Sequence, residues 1–278
     1  MIELPEALTY GQQLKEHVTG KVVVQVQPPS SPHKFCWFNG DPDHYGEMMA
    51  GKAVTGARAF GIYAELELED GVRLAFNDGV AVRLLQPGTA VPGKYQLLVR
   101  FGDGSALVFT VSMYGGIICH RGDYDNEYYE RSLSGCSPLS GAFTWEYFDG
   151  LFKRMKPSSS VKAFLATEQR IPGLGNGVLQ DILFQAGVNP RRRMESLSRA
   201  EVRRLYDSVI QVLGDMTAGG GRDTEKDLLG NAGGYRTLLS KNTLAAGCPH
   251  CHGPLVKEVY MGGAVYYCPV CQPREAAE

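Results

Sequence analysis

The chain has 278 residues, of which 44% are hydrophobic, and its formal net charge is −2. This length allows two domains with ample cores and a small additional module, and no apolar run approaches the roughly 20 residues of a membrane span. The acidic start of the sequence, Met1 to Glu6, differs from the basic start of a signal peptide, so we expect a cytoplasmic protein without a membrane partner.

The first predicted element is a helix from about Leu4 to Val18. Pro5 in its first turn and Gly20 after its last residue are typical of helix boundaries. Glu3 directly precedes this helix, and a carboxylate in that position usually serves only as a partner of the helix dipole.

Short strand-like runs follow, separated by turns such as residues 69–71. Six runs can be delimited, at residues 22–24, 35–38, 64–68, 72–76, 95–99 and 107–111. This number of short strands predicts a β-sandwich. Residues 41–43 and 86–88 are predicted to be plain loops.

The pattern becomes helical after Leu139. Thr144 is a predicted helix N-cap, residues 158–160 lead a second helix, and Ser198 with Glu201 forms a predicted capping box. Charge changes here as well: residues 1–139 carry 11 Lys/Arg and 16 Asp/Glu, whereas residues 140–245 carry 15 and 11. Any contact with a polyanion should therefore concentrate in this middle segment.

The turn Gly173-Leu174-Gly175-Asn176 lies between two of these helices. Glycines let backbone N–H groups approach an anion closely, and the start of the next helix adds partial positive charge. The turn is either a binding site for a DNA phosphate or a tight connection only. Lys162 before the turn and the basic run at residues 191–193 after it make the phosphate-binding interpretation nearly as strong as the purely structural one.

The tail contains two Cys-x-x-Cys knuckles, Cys248 with Cys251 and Cys268 with Cys271, separated by 16 residues. Each knuckle offers two thiolates on one tight turn, and Zn²⁺ accepts four such donors in tetrahedral geometry. Two strands around residues 261–263 would form a hairpin that the metal holds at its base. We rank two disulfides, or four unrelated thiols, below this interpretation because nothing in the sequence indicates secretion.

In this order, the motifs resemble the formamidopyrimidine-DNA glycosylase and endonuclease VIII (Fpg/Nei) family over essentially the whole chain. The matching segments are residues 3–6, 160–165, 173–176, 186–190, 224–227 and 268–272. The resemblance implies an α+β fold with an N-terminal helix and β-sandwich, a helix-two-turn-helix domain and a C-terminal Cys₄ zinc-finger hairpin. The corresponding domains would span residues 1–135, 136–245 and 246–278.

The resemblance also implies a function. Members of the family excise a damaged base that is flipped out of double-stranded DNA: an N-terminal amine forms a Schiff base with the sugar, and the adjacent Glu transfers protons. Carried over to this sequence, Glu3 is the catalytic Glu, and Ile2 presents the amine if Met1 is removed. The implied DNA-binding residues are Lys162, Gly175, Asn176 and Lys226.

Four positions depart from the family pattern. Ile2 replaces its terminal proline, and its β-hairpin lysine falls on Ile62. The Arg and Phe of its wedge fall near Met113 and Tyr114, and the arginine on its zinc hairpin is absent around residues 263–264. This combination fits either an altered substrate and chemistry or the loss of catalysis with DNA binding retained.

The leading hypothesis is a DNA glycosylase with AP lyase activity in base-excision repair, with structural Zn²⁺, acting as a monomer in the cytoplasm at the nucleoid. The alternative is a catalytically silent protein that binds unusual or damaged DNA, and a weaker third hypothesis is a zinc-ribbon adaptor that contacts protein.

Overall fold

The computed structural model describes residues 1–274 and confirms the predicted mixed α and β architecture. Its helices are α1 (Leu4–Val18), α2 (Tyr45–Met49), α3 (Glu127–Ser134), α4 (Trp145–Lys153), α5 (Val161–Ala166), α6 (Asn176–Ala186) and α7 (Arg199–Ala218). Its strands are β1 (Val23–Gln27), β2 (Cys36–Phe38), β3 (Val54–Phe60), β4 (Tyr63–Leu68), β5 (Val72–Asn77), β6 (Val80–Leu85), β7 (Leu97–Phe101), β8 (Ala106–Val111), β9 (Gly115–Arg121), β10 (Val256–Tyr260) and β11 (Gly263–Tyr267).

The N-terminal strands form two sheets, as the β-sandwich prediction requires. One sheet has the order β1-β7-β8-β6 and the other β2-β9-β5-β4-β3. All neighbouring strands are antiparallel except β2 and β9, which are parallel. Apolar side chains from both sheets and from α1, such as Leu14, Phe76 and Phe109, form one buried core.

Strands β3, β6 and β9 were not delimited from the sequence. The sequence of β3 contains Gly56 and two alanines, and β9 begins with Gly115-Gly116. Glycine and, to a lesser degree, alanine are depleted in strands. Their neighbours in the sheet place them in the extended conformation. Residues 42–44, predicted to be part of a loop, form a 3₁₀ turn that leads into α2.

The helical part has a second core, built mainly from α4, α5, α6 and α7. The predicted caps are confirmed: Tyr147 N donates to Thr144 Oγ1 at 3.3 Å, and Glu201 N donates to Ser198 Oγ at 3.3 Å. Helix α3 was not predicted. Within residues 1–274, no helix combines the length and the apolar character needed to cross a bilayer.

Helix α1 packs against both cores. Its residue Leu4 belongs to the helical core, whereas Leu14 and Val18 belong to the core of the sandwich. In the opposite direction, Leu228 reaches from beyond α7 into the core of the sandwich. The start of α1 therefore lies where the two parts meet. The three domain boundaries stay a prediction.

Candidate active site

Glu3 lies at the junction of two helix starts. It is 2% exposed, and its carboxylate accepts hydrogen bonds from Gly177 N and Val178 N, both at 2.7 Å, in the first turn of α6. Leu4 N donates to Gly173 O at 2.8 Å, which fixes the start of α1 against the glycine-rich turn. The anion at the start of α6 is thus a carboxylate of the same chain.

Arg222 joins the two acidic residues of this region. Its Nε and Nη2 atoms donate to the two oxygens of Glu6 at 2.9 and 2.8 Å, and its Nη1 lies 3.6 Å from Glu3 Oε2. Because Arg222 and both carboxylates are buried, each charge depends on the others for compensation. Because Glu6 binds the guanidinium through two hydrogen bonds, its interaction with Arg222 is stronger than that of Glu3.

The start of the chain is bound to the same cluster. The Met1 ammonium forms an ion pair with Glu225, and Met1 O accepts a hydrogen bond from Arg222 Nη2 at 3.0 Å. Ile2 N donates to Asp78 O at 2.6 Å, and the Ile2 side chain is 3% exposed in the core of the sandwich. We call this group the amine cluster; it consists of Met1, Glu3, Glu6, Asp78, Arg222 and Glu225.

The carboxyls of the amine cluster differ in proton affinity. Burial raises the pKa of Glu3, although Arg222 and the α6 amides oppose the shift. Burial also acts on Glu6, but the charge and hydrogen bonds of Arg222 outweigh it and lower the pKa of that carboxyl. Burial and the neighbouring Glu3 raise the pKa of Asp78 to about 6. Such opposed shifts between adjacent carboxyls are typical of acid and base pairs in active sites.

Two glycines allow this approach of charged side chains. A Cβ atom on Gly175 would lie 2.7 Å from Glu3 Oε1, and one on Gly177 would lie 1.5 Å from Arg222 Nη1. Both positions therefore need glycine for space, at ordinary negative φ in the case of Gly175. The predicted role of Gly175 in DNA binding stays a prediction.

Two other predicted DNA-binding residues, Lys162 and Asn176, face the C-terminal hairpin. Lys162 is 3% exposed, and its ammonium donates to Tyr260 O at 2.6 Å; burial lowers its pKa. Asn176 Nδ2 donates to Ala264 O at 2.8 Å, while its Oδ1 is buried without a hydrogen-bond partner. Both side chains therefore bind the hairpin in this conformation, and their contacts with DNA stay predictions.

Further contacts complete this surface. Gln180 accepts from Tyr266 N at 2.9 Å, and Arg191 donates to Glu258 at 2.6 Å. At the end of the chain, Gln272 donates to Val188 O at 3.0 Å. We call the contact surface between α5, α6 and the hairpin the hairpin interface; its polar side chains are Lys162, Asn176, Gln180, Arg191, Glu258 and Gln272.

Lys226 is exposed on the loop that follows α7, where its backbone carbonyl accepts a hydrogen bond from Tyr10 Oη at 3.0 Å. Ile62, at the position of the family lysine, is 3% exposed and lies in a buried cluster with Tyr129 of α3. A Cβ atom on the neighbouring Gly61 would lie 2.7 Å from Ser132 of the same helix. Met113 and Tyr114 are 60% and 46% exposed, as residues of a DNA-facing wedge would be.

The four predicted zinc ligands come together. All four Sγ atoms lie within 4.8 Å of one another, with Cys248 and Cys271 at 3.7 Å and Cys251 and Cys268 at 3.5 Å. Four sulfurs that are each bound about 2.3 Å from one Zn²⁺ would lie about 3.8 Å apart. The cluster therefore has the dimensions of a tetrahedral metal site.

Comparisons with known proteins agree with this architecture. The family model of the formamidopyrimidine-DNA glycosylase H2TH domain matches residues 135–226. The formamidopyrimidine-DNA glycosylase of Geobacillus kaustophilus is 28% identical over 288 residues, covering 98% of this chain and 100% of that protein. The Salinispora arenicola formamidopyrimidine-DNA glycosylase is 29% identical over 283 residues, covering 99% and 97%.

The crystal structure of MutM (Fpg) from Thermus thermophilus matches with a TM-score of 0.79 and 26% identity, over 99% of this chain and 100% of that one. These similarities support the Fpg/Nei family for this chain. Lactococcus lactis Fpg in complex with DNA containing an abasic site has the same fold, with a TM-score of 0.80 and 21% identity over 97% of this chain and 99% of that one.

Two members of the amine cluster, Asp78 and Arg222, were missed by sequence reasoning. Both lie in segments without periodicity or a recognisable spacing to Glu3. Glu6 and Glu225 were quoted only as parts of the family motifs at residues 3–6 and 224–227. A weak local indication existed for Glu6, because a carboxylate three residues after a helix N-cap often bonds back to it, and Glu3 N does donate to Glu6 Oε2 at 3.2 Å.

Proposed function

We propose that this Fpg/Nei family protein is a DNA glycosylase with AP lyase activity that acts on a flipped-out damaged base in double-stranded DNA during base-excision repair. The observation that carries the proposal is the amine cluster: a buried carboxyl, Glu3, with a raised pKa, lies 3.6 Å from Arg222, which also donates to the carbonyl of Met1. The names of the full-length relatives, and the damaged DNA bound by the structural neighbours, support it.

The chemistry follows from the proton affinities. The amine nitrogen bonds to C1′ of the damaged nucleotide, and the glycosidic bond breaks with its electron pair leaving on the base, which takes up a proton. The raised pKa of Glu3 lets this carboxyl keep its proton at a pH closer to neutral than an ordinary Glu does. Glu3 then protonates the sugar oxygen as the ring opens. The nitrogen gives up one proton and becomes an iminium, the Schiff base that borohydride traps.

The site divides these tasks among its residues. Two α6 amides and Arg222 orient Glu3, so its proton is held in a fixed direction. Glu6 compensates the Arg222 charge, which leaves Glu3 as the carboxyl of this buried pair with the raised pKa. Ile2 supplies the amine if Met1 is removed, as the family motif implies.

The test is single-turnover trapping with borohydride on duplexes that carry oxidised bases or abasic sites. We expect a covalent adduct for the wild type and a loss of about 10²- to 10⁴-fold in the trapping rate for Glu3→Gln, because the proton donor is removed while its volume is kept. Binding of an abasic-site analogue should persist in this variant. Failure of the wild type to form an adduct with every lesion tested would exclude the Schiff-base mechanism.

A catalytically silent DNA-binding protein is the second candidate, and the burial of Ile62 at the position of the family lysine favours it. It predicts salt-dependent DNA binding that survives Glu3→Gln, together with no turnover by the wild type.

We also propose that Cys248, Cys251, Cys268 and Cys271 hold one structural Zn²⁺, because their sulfur distances fit its coordination. DNA contacts are proposed for Lys162, Gly175, Asn176 and Lys226, of which exposed Lys226 needs no rearrangement. We further propose a monomer that works in the cytoplasm at the nucleoid.

A further inference from the structure

A groove lies where the segment before β2 meets the turn between β8 and β9. Its volume is about 580 Å³, and it is lined by residues 32–35 and 112–114. We call it the aromatic groove. Ligand sites in proteins measure roughly 300–1,000 Å³, so the aromatic groove has room for a planar ring system such as a nucleobase.

The apolar side chains that line the aromatic groove are largely exposed. Phe35, Met113 and Tyr114 are 57%, 60% and 46% exposed. Cys36 and Phe38 pack against the core of the sandwich, so the alternation of side chains along β2 directs Phe35 to the opposite side. Clusters of large exposed apolar side chains are typical of interaction sites.

Backbone contacts hold the two walls of the aromatic groove together. Gly115 N donates to Phe35 O at 3.0 Å, and the parallel register that pairs Cys36 with Gly115 places Phe35 beside Tyr114. Gly79 N donates to Tyr114 O at 2.9 Å, and a Cβ atom on Gly79 would lie 2.4 Å from that oxygen. Because the backbone of both walls is already fixed, little order has to be gained when a ligand binds.

The charge of the aromatic groove differs from that of its surroundings. Residues 1–139 carry 16 Asp/Glu and 11 Lys/Arg. Residues 32–35 and 112–114, all within the described part of the chain, include Lys34 and no carboxylate. The Lys34 ammonium lies 5.3 Å from the centroid of the Phe35 ring. Proteins bind single-stranded nucleic acid with this combination, since a base stacks on the ring and its phosphate pairs with the cation.

The aromatic groove adjoins the amine cluster through Asp78, which precedes Gly79 in the chain. Burial raises the pKa of Tyr114, and the charges of Asp78 and Glu3 add to this shift because they lie nearby. A nucleotide that enters the amine cluster would therefore hold the adjoining DNA next to the aromatic groove.

We infer that the aromatic groove binds an unpaired nucleobase of the DNA next to the lesion, with the base stacked on Phe35 and its phosphate bound to Lys34. This inference rests on the proposed function, since the lesion brings the DNA to the groove, and it specifies the substrate class as damaged DNA with unpaired bases beside the lesion. A base in a continuous duplex must first leave its partner and its neighbours to reach Phe35. An unpaired base avoids that cost, so such DNA binds more tightly.

Affinity for two DNA probes tests this preference. Both are duplexes with a tetrahydrofuran analogue of an abasic site, one fully paired and the other with a few unpaired thymines beside the analogue. We expect the wild type to bind the second probe about 5- to 100-fold more tightly, and Phe35→Ala to bind the two about equally, because the stacking contact is lost. Phe35→Trp should keep the preference. Val24→Ala, which truncates a 55% exposed side chain on β1, is the control.

A fluorescent base reports the stacking contact directly. In the second probe, 2-aminopurine at an unpaired position should lose fluorescence on binding to the wild type and stay bright on binding to Phe35→Ala. Lys34→Met should lower the slope of log K against log salt by about one. Should Phe35→Ala fail to fold, Lys34→Met and the two probes with the wild type still decide.

The outcomes separate this inference from the proposed function. Equal affinity of the wild type for the two probes, or an affinity and fluorescence that Phe35→Ala does not change, overturns the inference and leaves the proposed glycosylase function intact. Self-association of the wild type that Phe35→Ala abolishes would assign the aromatic groove to a second copy of the chain and overturn the inference as well. The absence of any borohydride adduct, with the preference for unpaired bases retained, overturns the Schiff-base mechanism and leaves the groove as a DNA-binding site.

Discussion

The amine cluster and the hairpin interface are both polar contact regions built on α6, yet they are suited to different tasks. In the amine cluster, burial raises the pKa values of Glu3 and Asp78, whereas the charge and hydrogen bonds of Arg222 outweigh burial at Glu6 and lower the pKa of that carboxyl. At the hairpin interface, Lys162 and Asn176 each donate to a neutral backbone carbonyl. Opposed pKa shifts in the first region favour proton transfer, whereas hydrogen bonds to backbone carbonyls in the second favour stability.

Removing the metal should break the hairpin interface and produce the largest effect. Zinc coordination contributes roughly 10–16 kcal/mol to the folding of small modules of this kind, so chelation or Cys268→Ser should unfold the hairpin while the sandwich persists. We expect one zinc per chain by elemental analysis, and loss of amide protection in β10 and β11 by hydrogen exchange after chelation. Cys136→Ser, outside the cluster, is the control. Unchanged protection after chelation would contradict the structural role.

Asp78→Asn tests the electrostatics of the amine cluster through the pH dependence of stability. Burial and Glu3 raise the pKa of Asp78 from 3.8 to about 6, so the folded state binds this proton more tightly than the unfolded state does. Its contribution to stability is complete below about pH 4 and is lost as the pH rises through about 6. The free energy of unfolding of the variant, relative to wild type, should therefore rise between pH 4 and pH 7 by at most about 3 kcal/mol.

Urea unfolding at several pH values measures this difference. Asp125→Asn, which removes an exposed carboxylate, is the matched control. If the difference in the free energy of unfolding between Asp78→Asn and wild type does not change with pH, the pKa of Asp78 is not raised in the folded state.

Lys162→Met should have the smallest effect, about 1–3 kcal/mol of destabilisation, because Tyr260 O is left without its donor while the apolar volume is kept. Thermal unfolding compared with Lys156→Met, an exposed lysine nearby, provides the measurement. The predicted DNA contact of Lys162 is tested with the same variant: a fall of about one in the slope of log K against log salt would support it. Wild-type stability in the variant would mean that the hydrogen bond to the hairpin contributes nothing.

Much of the fold was predictable because its determinants are local. The caps Thr144 and Ser198 act within one turn of their helices, and each zinc knuckle places two cysteines on one turn. Strand β9 was missed because Gly115-Gly116 has no strand preference of its own and is held extended by its neighbours. The locally capped helices α4 and α7 were therefore recovered, whereas β9, which the sheet imposes, was not; α3 was missed although Asn126 caps it locally.

The sequence by itself carried the resemblance to the family, the caps of α4 and α7, and the spacing of the four cysteines that come together. Only the tertiary structure decided that Glu3 occupies the start of α6, that Arg222 compensates Glu6, and that Glu225 meets the amine of Met1. These partners are separated by more than 170 residues in the chain. Proton affinity depends on burial and on such distant charges, and no local pattern in a sequence encodes either of them.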